Sequence, residues 1–169
     1  MNKILTIEEL RLLAYKKVPK MFFNYLESGS WTENTLKKNK EDFNKIEFVQ
    51  RVVRDISNRK LEVKVLNESL SFPIALAPCG LAGMQYANGE ILAAKASEKF
   101  GIPFTLSTMS MTSIEDLAKY LSKPFWFQLY VMKDKKFVEN LIKRARAVGC
   151  KTLILTVDLQ LLAQRHNDI

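Results

Sequence analysis

From Pro73 onward the sequence repeats one unit, a short apolar run followed by an amphipathic stretch, and this rhythm restricts the fold more than any other feature. Residues 74–77, 103–106, 125–130 and 152–157 read as short buried strands. Residues 89–100, 113–120 and 134–148 read as the helices between them. Gly101 and Gly149 follow two of these helices where a left-handed residue ends a helix, and Ser113 with Asp116 gives the third a capping box. Strands that alternate with helices make a parallel sheet with helices packed outside it, because parallel neighbours need a crossover connection.

Spacing alone leaves a barrel and an open sheet both available. Cys79-Gly80-Leu81-Ala82-Gly83, after the first strand, is not the Gly-x-Gly-x-x-Gly of a dinucleotide fold, and the chain has no P-loop. The strand ends carry Ala77-Pro78-Cys79-Gly80, Leu106-Ser107-Thr108, Gln128-Leu129-Tyr130 and Thr156-Val157-Asp158. Polar and backbone-exposing residues gathered at strand C-termini are how a (β/α)8 barrel builds a site. A complete barrel takes about 250 residues. This chain has 169. The expectation is an incomplete (β/α)8 TIM barrel of about four β/α units over residues 73–169, preceded by an N-terminal extension over 1–72.

In that extension, residues 6–15 fit an amphipathic helix opened by a Thr6/Glu9 capping box. Pro19 suits the first turn of a second helix that Gly29 stops. A third is expected over 32–43, with Thr32 as its cap and Leu36 and Phe43 facing inward. Residues 60–66 then read as a strand, with a hairpin turn around Asn67-Glu68-Ser69.

Composition removes several classes of function. With 47% hydrophobic and 26% charged residues, the chain is globular rather than disordered, and no apolar run is long enough to span a bilayer. The start lacks the pattern of a secretory signal, so cytoplasm is the default and Cys79 and Cys150 read as reduced thiols, the latter in the core. One histidine and two cysteines do not make a tetrahedral zinc site, so no metal is expected. The net charge of +8 is scattered over lysines and arginines without interleaved aromatics. It reads as solvated helix faces rather than a nucleic-acid surface.

Tyr25-Leu26-Glu27-Ser28-Gly29, Arg51-Val52-Val53-Arg54-Asp55, Asn88-Gly89-Glu90 and Phe127-Gln128-Leu129-Tyr130 join the strand-end segments in an order and spacing that resemble the FMN-dependent α-hydroxy acid dehydrogenases. The similarity runs from about Leu10 to Ile169, and 159–168 looks most like the bacterial respiratory L-lactate dehydrogenases. Relatives usually carry glycine where this chain has Ala163, which alters a tight turn there.

The resemblance implies FMN as cofactor and oxidation of an L-2-hydroxy acid such as lactate to the 2-oxo acid, with electrons passing to a quinone or other acceptor. It places Ser107, Gln128 and Thr156 along the flavin ring, and Ala77, Pro78 and Cys79 at its reactive edge. It gives Tyr25 and Arg165 the substrate carboxylate, a match for a guanidinium's paired hydrogen bonds and a phenol. Tyr130 falls near the substrate oxygen, and Asp158 matches a carboxylate that orients the catalytic histidine. Bland readings stay open: Ser107 and Thr156 as turn residues, Tyr25 as helix packing, Arg165 as surface, and Asp158 as a helix cap.

His166 directly follows Arg165, whose charge resists protonation of a neighbour, and the family's base lies later in the chain. The resemblance thus implies that the base, a second arginine, a flavin lysine and the phosphate loops are all outside these residues, and that the isolated chain is close to inactive. Expected partners are the hydroxy acid, the electron acceptor, and either a second copy or a complementing C-terminal half, with peripheral attachment to the inner membrane face as one location. Two other readings compete. One is a non-catalytic half-barrel module whose open edges recruit a partner chain. The other is a related FMN barrel such as a type 2 isopentenyl diphosphate isomerase, which Tyr25 and Arg165 suit less well.

Overall fold

The computed structural model describes residues 4–159 and 161–166. The chain forms two compact units, one from the described parts of Met1–Asn58 and Leu161–Ile169, the other from Arg59–Gln160.

The first unit is helical. Helix α1 spans Ile7–Lys17, and its capping box is formed: the Thr6 hydroxyl accepts from Glu9 N while the Glu9 carboxylate accepts from Thr6 N. Helix α2 spans Lys20–Glu27, with Pro19 as its N-cap rather than inside its first turn. Arg11 of α1 ties the pair together by binding Glu27 of α2 at 2.8 Å, and Tyr15 meets the buried Phe23 edge-on at 5.3 Å. Helix α3 spans Asn34–Glu41 and corrects two expectations. Its N-cap is Glu33, in left-handed backbone, so Thr32 lies outside the helix. Glu33 is held there because its carboxylate accepts the N–H of Gly29 at 3.0 Å. Phe43 falls in a following 3-10 turn, Asp42–Lys45, and is 73% exposed rather than inward.

The second unit is α/β. It opens with a hairpin of β1, Val63–Val65, and β2, Glu68–Leu70, joined by Leu66 and Asn67, both at positive φ. That is a type I′ turn one step earlier than the sequence places it, so Glu68 and Ser69 belong to the strand. Helix α4 is the single turn Ala82–Gln85 and α5 spans Gly89–Phe100. Then come β3 at Thr105–Ser107, α6 at Ile114–Ala118, β4 at Trp126–Leu129, α7 at Lys135–Ala147 and β5 at Leu153–Leu155.

The sheet is parallel, in the order β3-β4-β5. The strand expected at 74–77 shrinks to a single parallel bridge, Leu76 with Phe104. Helix α7 is capped by Asp134, which accepts from the N–H groups of Lys136 and Phe137. Ser113 caps α6 through Asp116 N, but the Asp116 carboxylate takes the Ser113 hydroxyl, so the box is only half made.

The core lies between the sheet and its helices. Leu106, Phe127 and Leu129 from the strands pack with Ile91 and Ala94 of α5, Ile114 and Leu117 of α6, and Leu141 and Ala145 of α7. Cys150 packs against this cluster as expected, and burial pushes its thiol up to about 11. Alternation along β4 therefore sends Phe127 and Leu129 toward the helices and leaves Gln128 on the opposite face.

Candidate active site

Three strand ends meet on the face away from the helices. Ser107 and Gln128 are register partners on β3 and β4, and both are buried. The Ser107 hydroxyl donates to Gln128 Oε1 at 3.1 Å, and the backbone N–H of Thr108 donates to the same oxygen at 3.1 Å. A backbone N–H can only donate, so this contact fixes which end of the amide is oxygen. Gln128 Nε2 therefore points the other way and donates to Thr156 Oγ1 at 2.8 Å, just beyond β5. The expected Ser107, Gln128 and Thr156 form one hydrogen-bonded chain across three strands.

The loops beyond the strand ends are tied down as well. Ser107 Oγ accepts Met109 N at 3.1 Å, and Leu81 N donates to Met109 O at 2.9 Å, joining the loop after Leu76 to the loop after β3. Ala77, Pro78 and Cys79 head the first of these loops and are exposed. Desolvation of the sulfur, with the Glu90 charge adding to it, raises the Cys79 pKa, so this residue is a protonated thiol at neutral pH. Tyr130 leaves β4 with its N–H on Thr108 Oγ1 at 3.1 Å. Asp158 is exposed in a bend after β5.

In the helical unit, Arg165 and Tyr25 are brought together. The guanidinium carbon lies 4.7 Å from the centre of the Tyr25 ring. Nη2 of the same group donates to the carbonyls of Tyr25 and Ser28 and to the Ser28 hydroxyl, the Ser28 contacts at 2.9 and 2.8 Å. Arg165 thus caps the C-terminus of α2, where carbonyls lack helical partners. His166 packs its ring edge-on against Trp31 at 5.8 Å.

Sequence reasoning passed over two residues. Thr108 is one: besides receiving Tyr130 N, its hydroxyl donates to Gln128 O at 2.6 Å. Glu90 is the other, only 2% exposed on the first turn of α5. Its carboxylate accepts from Gly83 N and Met111 N at 3.0 Å each and from the Thr112 hydroxyl at 3.2 Å. Burial works against the charge, but its own N–H, those of Met111 and Gly83, and the Thr112 hydroxyl outweigh it, and the carboxyl is held below its ordinary range. The Asn88-Gly89-Glu90 segment was visible in the sequence; its partners more than 20 residues away were not.

Taken alone, the strand-end constellation defines an uncharged site of amide and hydroxyl groups at the C-terminal edge of a parallel sheet. One Gln128 amide hydrogen and the Thr156 hydroxyl hydrogen have no acceptor among the described residues, so the edge is donor-rich. Such a donor set fits the carbonyl oxygens of a flavin ring. Residues 14–169 match the model of the FMN-dependent dehydrogenases.

The chain is 46% identical over 160 residues to an L-lactate dehydrogenase of Acinetobacter baumannii, and 46% identical over 161 residues to one from Vibrio parahaemolyticus. Each alignment covers 95% of this chain but 42% of the relative, so the chain spans less than half the length of these relatives. A soluble mutant of the membrane-associated (S)-mandelate dehydrogenase from Pseudomonas putida superposes with a TM-score of 0.93 at 37% identity, over 98% of this chain and 47% of that one. The chain belongs to the FMN-dependent dehydrogenase family, and the family's cofactor is FMN.

Proposed function

We propose that this chain carries the flavin-ring wall of an enzyme that oxidises an L-2-hydroxy acid to the 2-oxo acid, L-lactate being the leading substrate. The observation that carries this reading is the Ser107–Gln128–Thr156 chain, an uncharged donor set spanning three parallel strand ends. The strands are read as an arc of a (β/α)8 barrel. FMN would supply the two-electron acceptor, and a quinone or other carrier would receive the electrons in turn.

In this assignment Gln128, Ser107 and Thr156 hold the ring's carbonyl and N–H edge, and the backbone of Ala77, Pro78 and Cys79 approaches its reactive edge. Tyr25 and Arg165 take the substrate carboxylate. The Ser28 carbonyl and hydroxyl fix the orientation of the Arg165 guanidinium, a group whose fork of N–H donors suits a carboxylate. Tyr130 stands beside the substrate oxygen and Asp158 orients a histidine base. No residue described here is assigned as that base, since His166 packs on Trp31 beside Arg165. The 169-residue polypeptide alone is therefore proposed to show little or no turnover. General-base catalysis is typically worth about 10² to 10⁴ in rate.

Among the described residues no helix is long and apolar enough to cross a membrane, and one structural relative is described as a monotopic membrane protein. Peripheral attachment at the inner membrane face, next to a quinone pool, fits both.

A second reading, association with a partner chain, is favoured by the open edge at β5. Leu153 and Leu155 are 46% and 51% exposed, although leucines of the neighbouring strands are buried under helices. A complementing C-terminal segment or a second copy would cover them.

One experiment addresses both readings. FMN is titrated into the polypeptide alone and into a mixture with the C-terminal part of the A. baumannii relative, followed by L-lactate without oxygen. Flavin bleaching only in the mixture is expected. Bleaching by the polypeptide alone overturns the predicted inactivity, and no bleaching in a mixture that binds FMN overturns the substrate.

A further inference from the structure

Glu90 is almost fully buried, carries a charge, and has as its hydrogen-bond donors Gly83, Met111 and Thr112, none of them assigned to flavin or substrate. Its Oε1 accepts two backbone N–H groups from different connections, Gly83 in the one-turn helix α4 of the loop that follows Leu76 and Met111 in the loop after β3. Oε2 accepts the Thr112 hydroxyl. The first loop carries Cys79 and Gly80, and the second leaves β3 through Ser107 and Thr108. The two loops also pack closely: a Cβ on Gly83 would lie 2.9 Å from Met111 Cβ, and one on Gly80 would lie 3.2 Å from Met109 Cβ. Among the described residues, one direct backbone hydrogen bond joins them, Leu81 N to Met109 O. A buried carboxylate that accepts three donors is a strong constraint, because each donor would otherwise be left without a partner.

We propose that Glu90 is a positioning residue: it clamps the two loops so that the backbone around Cys79 and the Ser107–Gln128 pair are held at a fixed separation before the flavin binds. This rests on the flavin reading for its purpose, but the clamp itself is a property of the loops. Both N–H donors share one oxygen, which makes a specific demand on variants. A glutamine can keep its carbonyl on Gly83 N and Met111 N and turn its amide N–H toward the Thr112 oxygen. An alanine can do neither.

Single-residue amide hydrogen exchange on the full chain tests the clamp. In Glu90→Ala, the Gly83 and Met111 amides are expected to exchange about tenfold faster or more, with Phe127 in β4 unchanged. In Glu90→Gln they are expected to stay within about threefold of the parent, the isosteric amide restoring what alanine removes. Should Glu90→Ala fail to fold, Glu90→Asp carries the same test, being one methylene too short to hold both loops. Unchanged exchange at Gly83 and Met111 in the alanine or aspartate variant overturns the proposal, as does acceleration that includes Phe127 to the same degree, or a glutamine variant as exposed as alanine.

FMN titration of the same proteins adds a separate arm. Weaker flavin binding in Glu90→Ala but not in Glu90→Gln supports the purpose assigned to the clamp, and equal binding in all three overturns that purpose. If the parent chain binds no FMN alone, the titration is made in the mixture with the C-terminal part of the A. baumannii relative; absence of binding there overturns the flavin-wall function, and the exchange rates then decide the clamp alone.

Discussion

In the α/β unit, Ser107, Gln128 and Glu90 lie beneath the surface, and their polar contacts reach groups 20 or more residues away. In the helical unit, Tyr25 is 40% exposed and Arg165 is held by the last carbonyls of a two-turn helix. The contrast is between a candidate site built into a core and one resting on a helix end. Buried polar groups are costly to disturb because a lost partner cannot be replaced by water, whereas groups near the surface recover much of what they lose. The strand-end residues should therefore tolerate little change, and the Tyr25–Arg165 pair should keep freedom to adjust to a ligand.

The strongest way to break this comparison is through the apolar layer under the strand ends. Phe127 is almost fully buried beneath Gln128 and contacts the layer formed by α5, α6 and α7. Phe127→Ala is expected to destabilise the fold by about 3–5 kcal/mol, measured by urea unfolding. Phe23→Ala, the matching change in the helical unit, should cost less, because Phe23 packs edge-on with Tyr15 outside the larger core cluster that holds Phe127. If the Phe23 variant is the less stable of the two, the ranking of the units is wrong. Next in size is Gln128→Leu. It keeps the volume but strands the Thr108 N–H and the Ser107 hydroxyl, at about 1–3 kcal/mol for each donor left without a partner. It should also abolish any FMN binding by the chain.

How much of this was legible follows from how local each signal is. Thr6 with Glu9, Gly101 and Gly149 were readable because a cap involves residues within a turn of each other, and all three act as read. Ser107, Gln128 and Thr156 were readable for a different reason. Parallel strands of similar length put their ends side by side, so residues at equivalent ends become neighbours.

The misses share a cause in contacts made far along the chain or in backbone the sequence does not announce. Thr32 looked like a cap, but Glu33 in left-handed backbone starts the helix instead. Residues 74–77 looked like a full strand, yet pairing with Phe104 supports only Leu76. Glu90 looked like an acidic residue at a helix start, and nothing local showed that Met111 would bury it.

A smaller effect is expected from Arg165→Met. It removes the cap on the α2 carbonyls while keeping an apolar stem against the Tyr25 ring. The loss should be about 1 kcal/mol or less, confined to the end of α2, and visible as faster exchange of the Ser28 amide, which donates to Asn24 O. A loss as large as that of Gln128→Leu would mean that the helix-end site is as rigid as the strand-end one.

The smallest effect sharpens the comparison by pH. Arg144 of α7 grips Glu115 of α6 with two hydrogen bonds of 2.7 Å, and the guanidinium lowers the Glu115 carboxyl to about 2. Because the folded pKa lies below the ordinary value of 4.5, the pair contributes at neutral pH, starts to weaken below about 4.5, and is gone once the pH passes about 2. Both side chains are more than a third exposed, 37% and 45%, so solvent screening keeps the contribution near 0.5 kcal/mol, well below what the depressed pKa alone would give. Glu115→Gln should thus lower stability slightly and evenly from pH 8 down to about pH 5. Below that the two unfolding curves should converge, and raising the salt to about 1 M should close most of the gap at neutral pH. A difference that survives both high salt and acid would place Glu115 with the buried strand-end residues, where water cannot replace a lost partner.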